Sequence, residues 1–308
     1  MNLTFENAVE NYKQFLQLKD KPQSVMKITN RIVNNILPYF KNKNIYELTT
    51  LDCLNWQMQI DSMNFKYSYK KTLYYCFVAF LNYCVKFHNL NENVLIKVGN
   101  FKNDEINDNG KVWSINDFNN YIKVIDNQIY STLFKFMYFT GCRLGEVLAL
   151  TFDDINENVI NINKTITKEY YNGKRLITTP KTKKSIRKIS IDNLLKSEIE
   201  QLREYYITKY NNFNDKFYIF GGIKALSPTT ITTKKNIYCS KANVPQIKLH
   251  EFRHSHACLL FKNNIPIEDI SKRLGHSTIT MTMDVYLKYI PRDEKRVINT
   301  LNALRQVP

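Results

Sequence analysis

The sequence predicts a mainly α-helical protein with a small antiparallel β-sheet, folded as two domains. Three observations lead there. Apolar residues recur at helical spacing through the first hundred positions. A polar stretch, Lys102 to Gly110, ends in Asn-Gly and interrupts that pattern. Beyond it, alternating segments flank Asn172-Gly173, a dipeptide favoured in tight hairpins, with helical periodicity before and after.

Phe5, Val9, Tyr12, Phe15 and Leu16 fall on one face of a helix over 5–18. A second helix is expected from Ser24 to Phe40, with Val25, Ile28, Ile32, Val33 and Ile36 inward. Thr49 or Thr50 can cap a third, carrying Leu51, Leu54 and Met58. Tyr67 to Phe87 is rich in Tyr, Phe, Leu and Val and reads as a largely buried fourth. Residues 1–101 are therefore expected to form a helical domain and 102–110 a linker. The second domain, 111–290, opens with helices near 115–125 and 127–140. Strands are expected at Val159 to Ile162, Ile166 to Tyr170, Leu176 to Thr179 and Ile186 to Ile191. Helices resume near 192–210 and dominate from Pro228 onward. Residues 291–308 read as a tail helix in which Val297, Ile298, Leu301 and Leu304 make one apolar stripe.

Charge points to a polyanionic partner, nucleic acid before membrane. The net charge is +16, from 44 Lys and Arg against 28 Asp and Glu. Residues 1–109 hold 13 basic and 10 acidic side chains, and the remainder 31 and 18, so the second domain carries most of the excess. No apolar run approaches membrane-spanning length, and the N-terminus lacks the basic start and apolar core of a secretory leader. A cytoplasmic location is expected. The six cysteines form no Cys-x-x-Cys pair and read as buried free thiols in a reducing compartment. No Gly-x-x-x-x-Gly-Lys or Gly-x-Gly-x-x-Gly loop is present, so nucleotide cradles of those kinds are unsupported.

Chemistry concentrates in a few segments of the second domain. Arg143 sits in Thr140-Gly141-Cys142-Arg143-Leu144-Gly145-Glu146, with Glu146 one helical turn on. His250 and Arg253 lie three apart in His250-Glu251-Phe252-Arg253-His254, so a helix start places them on one face. His276 follows Leu274-Gly275, where Gly275 reads as a helix C-terminal glycine, and Tyr286 stands ten residues further on. Cleaving a phosphodiester without metal needs an in-line nucleophile, stabilisation of developing charge, a base and an acid. Guanidinium forks meet two phosphate oxygens and stay charged, which suits Arg143 and Arg253 to the second task. A phenol, with a pKa of about 10, needs a base or a cationic pocket to attack. His254-Ser255-His256 with Cys258 alternates around a helix instead of converging, so no metal site is expected.

In this order and spacing the segments resemble the tyrosine recombinase (phage integrase) family, over roughly 111 to 308 for the catalytic domain and the first hundred residues for a helical core-site-binding domain. The family's His-x-Leu-Arg-His appears here with Phe252 in place of Leu, an apolar swap at an expected core contact. The resemblance implies Tyr286 as nucleophile, with Tyr289 as packing, and Arg143, Arg253 and His276 on the scissile phosphate. It implies His250 as the proton-handling histidine, Glu146 in support, and Lys181, in the turn after the second hairpin strand, as the acid for the leaving oxygen. Lys183, Lys184, Arg187, Lys70 and Lys71 are expected to contact DNA. The implied reaction leaves a 3′-phosphotyrosyl enzyme and a free 5′-hydroxyl, which a partner strand's hydroxyl resolves without cofactor. The implied partners are double-stranded DNA with a specific core site, three further copies of the chain in a synaptic tetramer, and an accessory directionality factor where direction is regulated. The tail is implied to dock on a neighbouring subunit, with docking on its own domain nearly equal on the residues alone. Many relatives add an N-terminal domain for distant arm sites. With the first helix starting at Phe5, an arm-site role is not expected, and the layout looks more like the compact chromosome-dimer-resolving type, with an element-borne integrase still open. Two rival readings use much of the same residue kit: a type IB topoisomerase that relaxes supercoils alone, and a non-catalytic DNA-binding relative.

Overall fold

The computed structural model describes residues 2–20, 22–103, 110–171, 174–180, 183–289 and 294–305. The chain divides into two compact units, residues 1–107 and 108–308.

The first unit is helical: α1 (Phe5–Lys19), α2 (Pro22–Asn35), a single turn α3 (Leu37–Phe40), α4 (Thr50–Ser62), α5 (Tyr67–Phe87) and a short α6 (Leu95–Val98). Side-chain caps set two of the starts. The Thr4 hydroxyl accepts from the Asn7 N–H, and Thr49, not Thr50, forms a reciprocal capping box with Asp52. The expected helix from Ser24 to Phe40 is broken at Ile36. Ile36 leaves the helical region at φ -123°, and Pro38, in the first turn of α3, has no N–H with which to continue the α2 ladder. The core gathers Phe5, Phe40, Trp56, Phe77 and Phe80, with Trp56 and Phe77 rings 5.0 Å apart at 80°. Here α4 departs from the sequence reading. It buries Cys53, Trp56 and Ile60 and exposes Leu51, Leu54 and Met58. The helix is apolar on both sides, and the indole of Trp56, whose N–H donates to the Asn35 carbonyl at 2.8 Å, takes the inward face. Val33, expected inward on α2, is likewise exposed.

The second unit opens with α7 (Ile115–Lys123), started by a Ser114–Asp117 capping box, and α8 (Gln128–Thr140), followed by α9 (Leu144–Ala149). Strands β1 (Ile155–Asn156), β2 (Val159–Ile162), β3 (Thr165–Tyr171), β4 (Lys174–Thr178) and β5 (Arg187–Ser190) divide into two antiparallel sheets, β1-β2-β5 and the hairpin β3-β4. The Asn172-Gly173 turn lies outside the described residues. β5 pairs with β2, not β4, because that register sets Ile160 opposite Ile189, and both are buried with Ile162 in the core. Helices α10 (Asn193–Lys209), α11 (Pro228–Ala242), α12 (Glu251–Lys262), α13 (Ile267–Leu274), α14 (Thr280–Tyr289) and α15 (Glu294–Arg305) complete the unit. Phe252 sits fully buried against Trp113 and Phe134, at ring separations of 5.1 and 5.6 Å. That contact fixes the start of α12 on the core. The α15 stripe of Val297, Ile298, Leu301 and Leu304 is exposed along its length. Among the described residues no helix is long and apolar enough to cross a membrane. All six cysteines are buried and unpaired.

Candidate active site

The candidate residues sit at the ends of helices, where the chain turns sharply. α8 stops at Gly141, which adopts φ +65°, and a Cβ there would stand 2.6 Å from Leu274 and 2.7 Å from His256. The turn delivers Arg143 to the start of α9. Its guanidinium donates to Glu146 Oε1 at 2.9 Å and to the Gly275 carbonyl at 3.4 Å, leaving the side chain partly exposed. Gly275 repeats the device: α13 ends there at φ +68°, and His276 follows, buried. His276 Nδ1 and the Thr282 hydroxyl are hydrogen-bonded at 2.7 Å, which orients the ring.

His250 caps α12 and remains exposed, its ring 4.8 Å from that of His254. Arg253, one turn on, is almost wholly buried. Its Nη1 donates to the Gly141 carbonyl at 2.9 Å, while Nη2 is buried with no partner among the described residues. Burial, then the neighbouring Arg143, push its pKa down to about 9, which leaves it cationic at neutral pH. Desolvation and the charges of Arg253 and Arg143 lower the His250 pKa, and burial with the same two arginines pushes His276 down to about 3. The structure thus brings Arg143, His250, Arg253 and His276 into one electrostatic neighbourhood with both imidazoles neutral.

Glu146 is a buried carboxylate at this cluster. Burial alone would raise its pKa, but hydrogen bonding and charge from Arg187, with the Arg143 backbone N–H and charge, hold it below the ordinary range. A cavity of 330 Å³ lined by Arg143, Glu146, Pro180, Ser185 and Gly275 opens beside it.

The other expected residues are placed differently. Tyr286 is 39% exposed on α14, its ring 5.0 Å from Phe261, and its hydroxyl makes no hydrogen bond among the described residues. No described contact joins it to the four residues above. Tyr289, half-buried, faces His254 at 5.5 Å. Lys181 lies outside the described residues, and Lys183 opens a 3-10 turn to Ser185. Lys184 donates to the Ser277 carbonyl at 2.8 Å. Lys71 is exposed, whereas Lys70 is engaged by Asp61 at 2.8 Å. Arg187 corrects the sequence reading. Its side chain is only 7% exposed and is committed to protein acceptors, so it has no free donor for DNA. Sequence reasoning missed Thr282, whose position six residues after His276 carries no signal, and the pair formed by buried His256 and Arg273. Arg273 Nε donates to His256 Nε2 at 3.2 Å, and His256 Nδ1 meets the Tyr138 carbonyl at 2.9 Å.

Burial holds His256, like His276, at a pKa of about 3 against an ordinary 6.5. Between those values the unfolded chain binds protons that the folded one refuses. The His256 contribution is therefore complete above pH 6.5 and falls as pH drops toward 3, by up to about 1.4 kcal/mol per pH unit, with His276 adding to the decline in the same direction. Urea titrations at about pH 7 and about pH 4.5 measure this, and His256→Gln should flatten the decline. Equal stability at both pH values would contradict it.

The fold, a small helical unit preceding an α+β unit, resembles that of solved integrases. It matches the Tn1549 transposon integrase (residues 82–397, Y379F) in complex with transposon right end DNA at TM-score 0.77 and 15% identity, covering 98% of this chain and 100% of that one. It also matches a lambda integrase tetramer bound to a Holliday junction at TM-score 0.66 and 13% identity, covering 92% and 77%. The description of the phage integrase family matches residues 110–290, and that of an N-terminal SAM-like domain of phage integrases matches residues 4–60. The chain belongs to the phage integrase (tyrosine recombinase) family. It is 32% identical over 201 residues to the ICEBs1 integrase of Bacillus subtilis (strain 168), across 63% of this chain and 55% of that protein. The chain spans about half the length of the curated relatives it matches.

Proposed function

We propose that this chain is a site-specific DNA recombinase that cuts and rejoins duplex DNA through a 3′-phosphotyrosyl intermediate, in integration, excision or resolution. The observation that carries the reading is the buried Nη2 of Arg253, without a partner among the described residues, beside Arg143, His250 and His276. A desolvated guanidinium donor without an acceptor is costly, and a phosphodiester oxygen would complete it. Arg143 and Arg253 then hold the non-bridging oxygens. With the Thr282 hydroxyl donating to Nδ1, His276 keeps a proton on Nε2 to donate as a third ligand. Neutral His250 accepts the Tyr286 proton as the phenolic oxygen bonds to phosphorus. The bond from phosphorus to the 5′-oxygen breaks, and Lys181 protonates that oxygen. The 5′-hydroxyl of a partner strand reverses the step, so the ester is conserved and no energy source is consumed. The reading requires α14 to present Tyr286 to the phosphorus in the DNA complex.

Residues 1–101 would bind the core site and 111–290 the scissile phosphates. Four copies would hold the junction, each tail helix laying Val297, Ile298, Leu301 and Leu304 on its neighbour. Such an assembly acts on DNA in the cytoplasm, with an accessory directionality factor as a further partner. A duplex nicked near the cleavage position, drawn from the DNA flanking the gene, should trap a covalent adduct that mass spectrometry maps to Tyr286. A chain that binds this duplex but never becomes attached to it would be a binding protein instead. Lys181→Ala should slow cleavage of ordinary DNA by about 10² or more, yet cleave a bridging 5′-thiolate normally because that leaving group needs no acid. Failure of the thiolate to restore the rate would remove Lys181 from this role.

A further inference from the structure

Arg187 opens β5 with its side chain only 7% exposed. Its donors reach the neighbouring Ser185 carbonyl and two segments remote in sequence. Nε donates to the Arg273 carbonyl at 2.7 Å, three residues before His276. Nη1 donates to the Ser185 carbonyl at 3.0 Å, at the end of the turn that follows Lys181. Nη1 and Nη2 together grip Glu146, at 3.2 and 3.0 Å, as a two-pronged pair, and Nη2 lies 3.7 Å from the Cys142 sulfur, next to Arg143. Glu146 in turn holds the Arg143 guanidinium. Gly275 is part of the same packing, since a Cβ there would stand 3.0 Å from Arg187 Cδ.

We infer that Arg187 is a positioning residue of the reaction: it locks Arg143, His276 and the Lys183–Ser185 turn into one register through Glu146 and two backbone carbonyls. The inference rests on the recombinase reading and assigns Arg187 no contact with DNA. A planar fork with five fixed donors can span these acceptors at once, whereas a lysine ammonium at the end of a flexible stem cannot. Displacement of groups near a reacting centre by about an ångström costs on the order of 10² in rate.

The test uses full-length Arg187→Lys, which keeps the charge, on the nicked duplex. It is repeated with a methylphosphonate at the scissile position, where one charged oxygen is replaced by methyl. Duplex affinity should match that of the unaltered chain while single-turnover cleavage falls by about 10². The gap should narrow on the methylphosphonate, because less charge then depends on where Arg143 sits. Equal losses on the two substrates would reveal a scaffold role only, and an unchanged rate would also overturn the inference. Should Arg187→Lys fail to fold, Arg187→Met with Glu146→Gln removes both buried charges together and carries the same expectations. No adduct from the unaltered chain would count against the recombinase reading. An adduct from the unaltered chain with undiminished cleavage by Arg187→Lys would count against this inference alone.

Discussion

Tyr286→Phe is expected to abolish covalent attachment to DNA and leave duplex binding intact. The reasoning is atomic: the oxygen that would bond to phosphorus is removed and nothing else is. In the free protein that oxygen has no hydrogen bond among the described residues, and the ring's contact is with Phe261. Removing it should change stability by no more than about 0.5 kcal/mol, as for surface substitutions generally. On the recombinase reading, affinity is expected to come from many phosphate contacts with the strongly basic second unit, not from the nucleophile. Tyr289 is the internal control. Its ring faces His254, so it lies nearer the histidines than the described contacts place Tyr286. Tyr289→Phe should retain adduct formation. If Tyr286→Phe still forms the adduct at normal yield and Tyr289→Phe does not, the nucleophile is Tyr289 and the spacing from His276 misled the assignment.

How far the chain could be read before its structure depended on how local the deciding forces were. A helix with one apolar face, such as α1, follows from periodicity, and the structure adds the Thr4 cap that starts it. The α4 face did not follow, because Leu51, Leu54 and Met58 compete with Cys53, Trp56 and Ile60 and only tertiary packing decides between them. The neighbourhood of Arg143, His250, Arg253 and His276 was legible because each lies beside a glycine turn or a helix start that spacing reveals. The burial of Arg187 was not, since the Arg273 carbonyl and the Glu146 carboxylate that hold it come from segments remote in sequence. A basic residue beside a lysine-rich turn reads as a DNA contact until its partners are seen. Nor could spacing reveal that Tyr286 stands on an exposed face of α14, because motif order says nothing of which way a helix presents a side chain before its ligand arrives.

Arg253→Lys is expected to lower the cleavage rate by about 10²–10³ at neutral pH, the usual loss on removing one preorganised oxyanion donor. Lysine is the informative replacement. Arg253→Ala would strip the Gly141 carbonyl of its donor and leave a hole at the start of α12, mixing misfolding with chemistry. A lysine can reach the Gly141 carbonyl or the phosphate, but its single ammonium cannot fork to both as Nη1 and Nη2 can. The surroundings press further on it. Burial and Arg143 already hold the Arg253 pKa down at about 9, and a lysine starts from a lower value than an arginine. The substituted ammonium would therefore lose its proton at a lower pH than the guanidinium does. Its charge is present below that depressed pKa and is lost as pH rises through it. The ratio of unaltered to Arg253→Lys rates should accordingly widen with increasing pH, measured on the nicked duplex at saturating protein so that affinity drops out. A ratio near one at every pH would mean that Arg253 braces the Gly141 turn without touching the phosphate, and the buried Nη2 would lose its place in the chemistry.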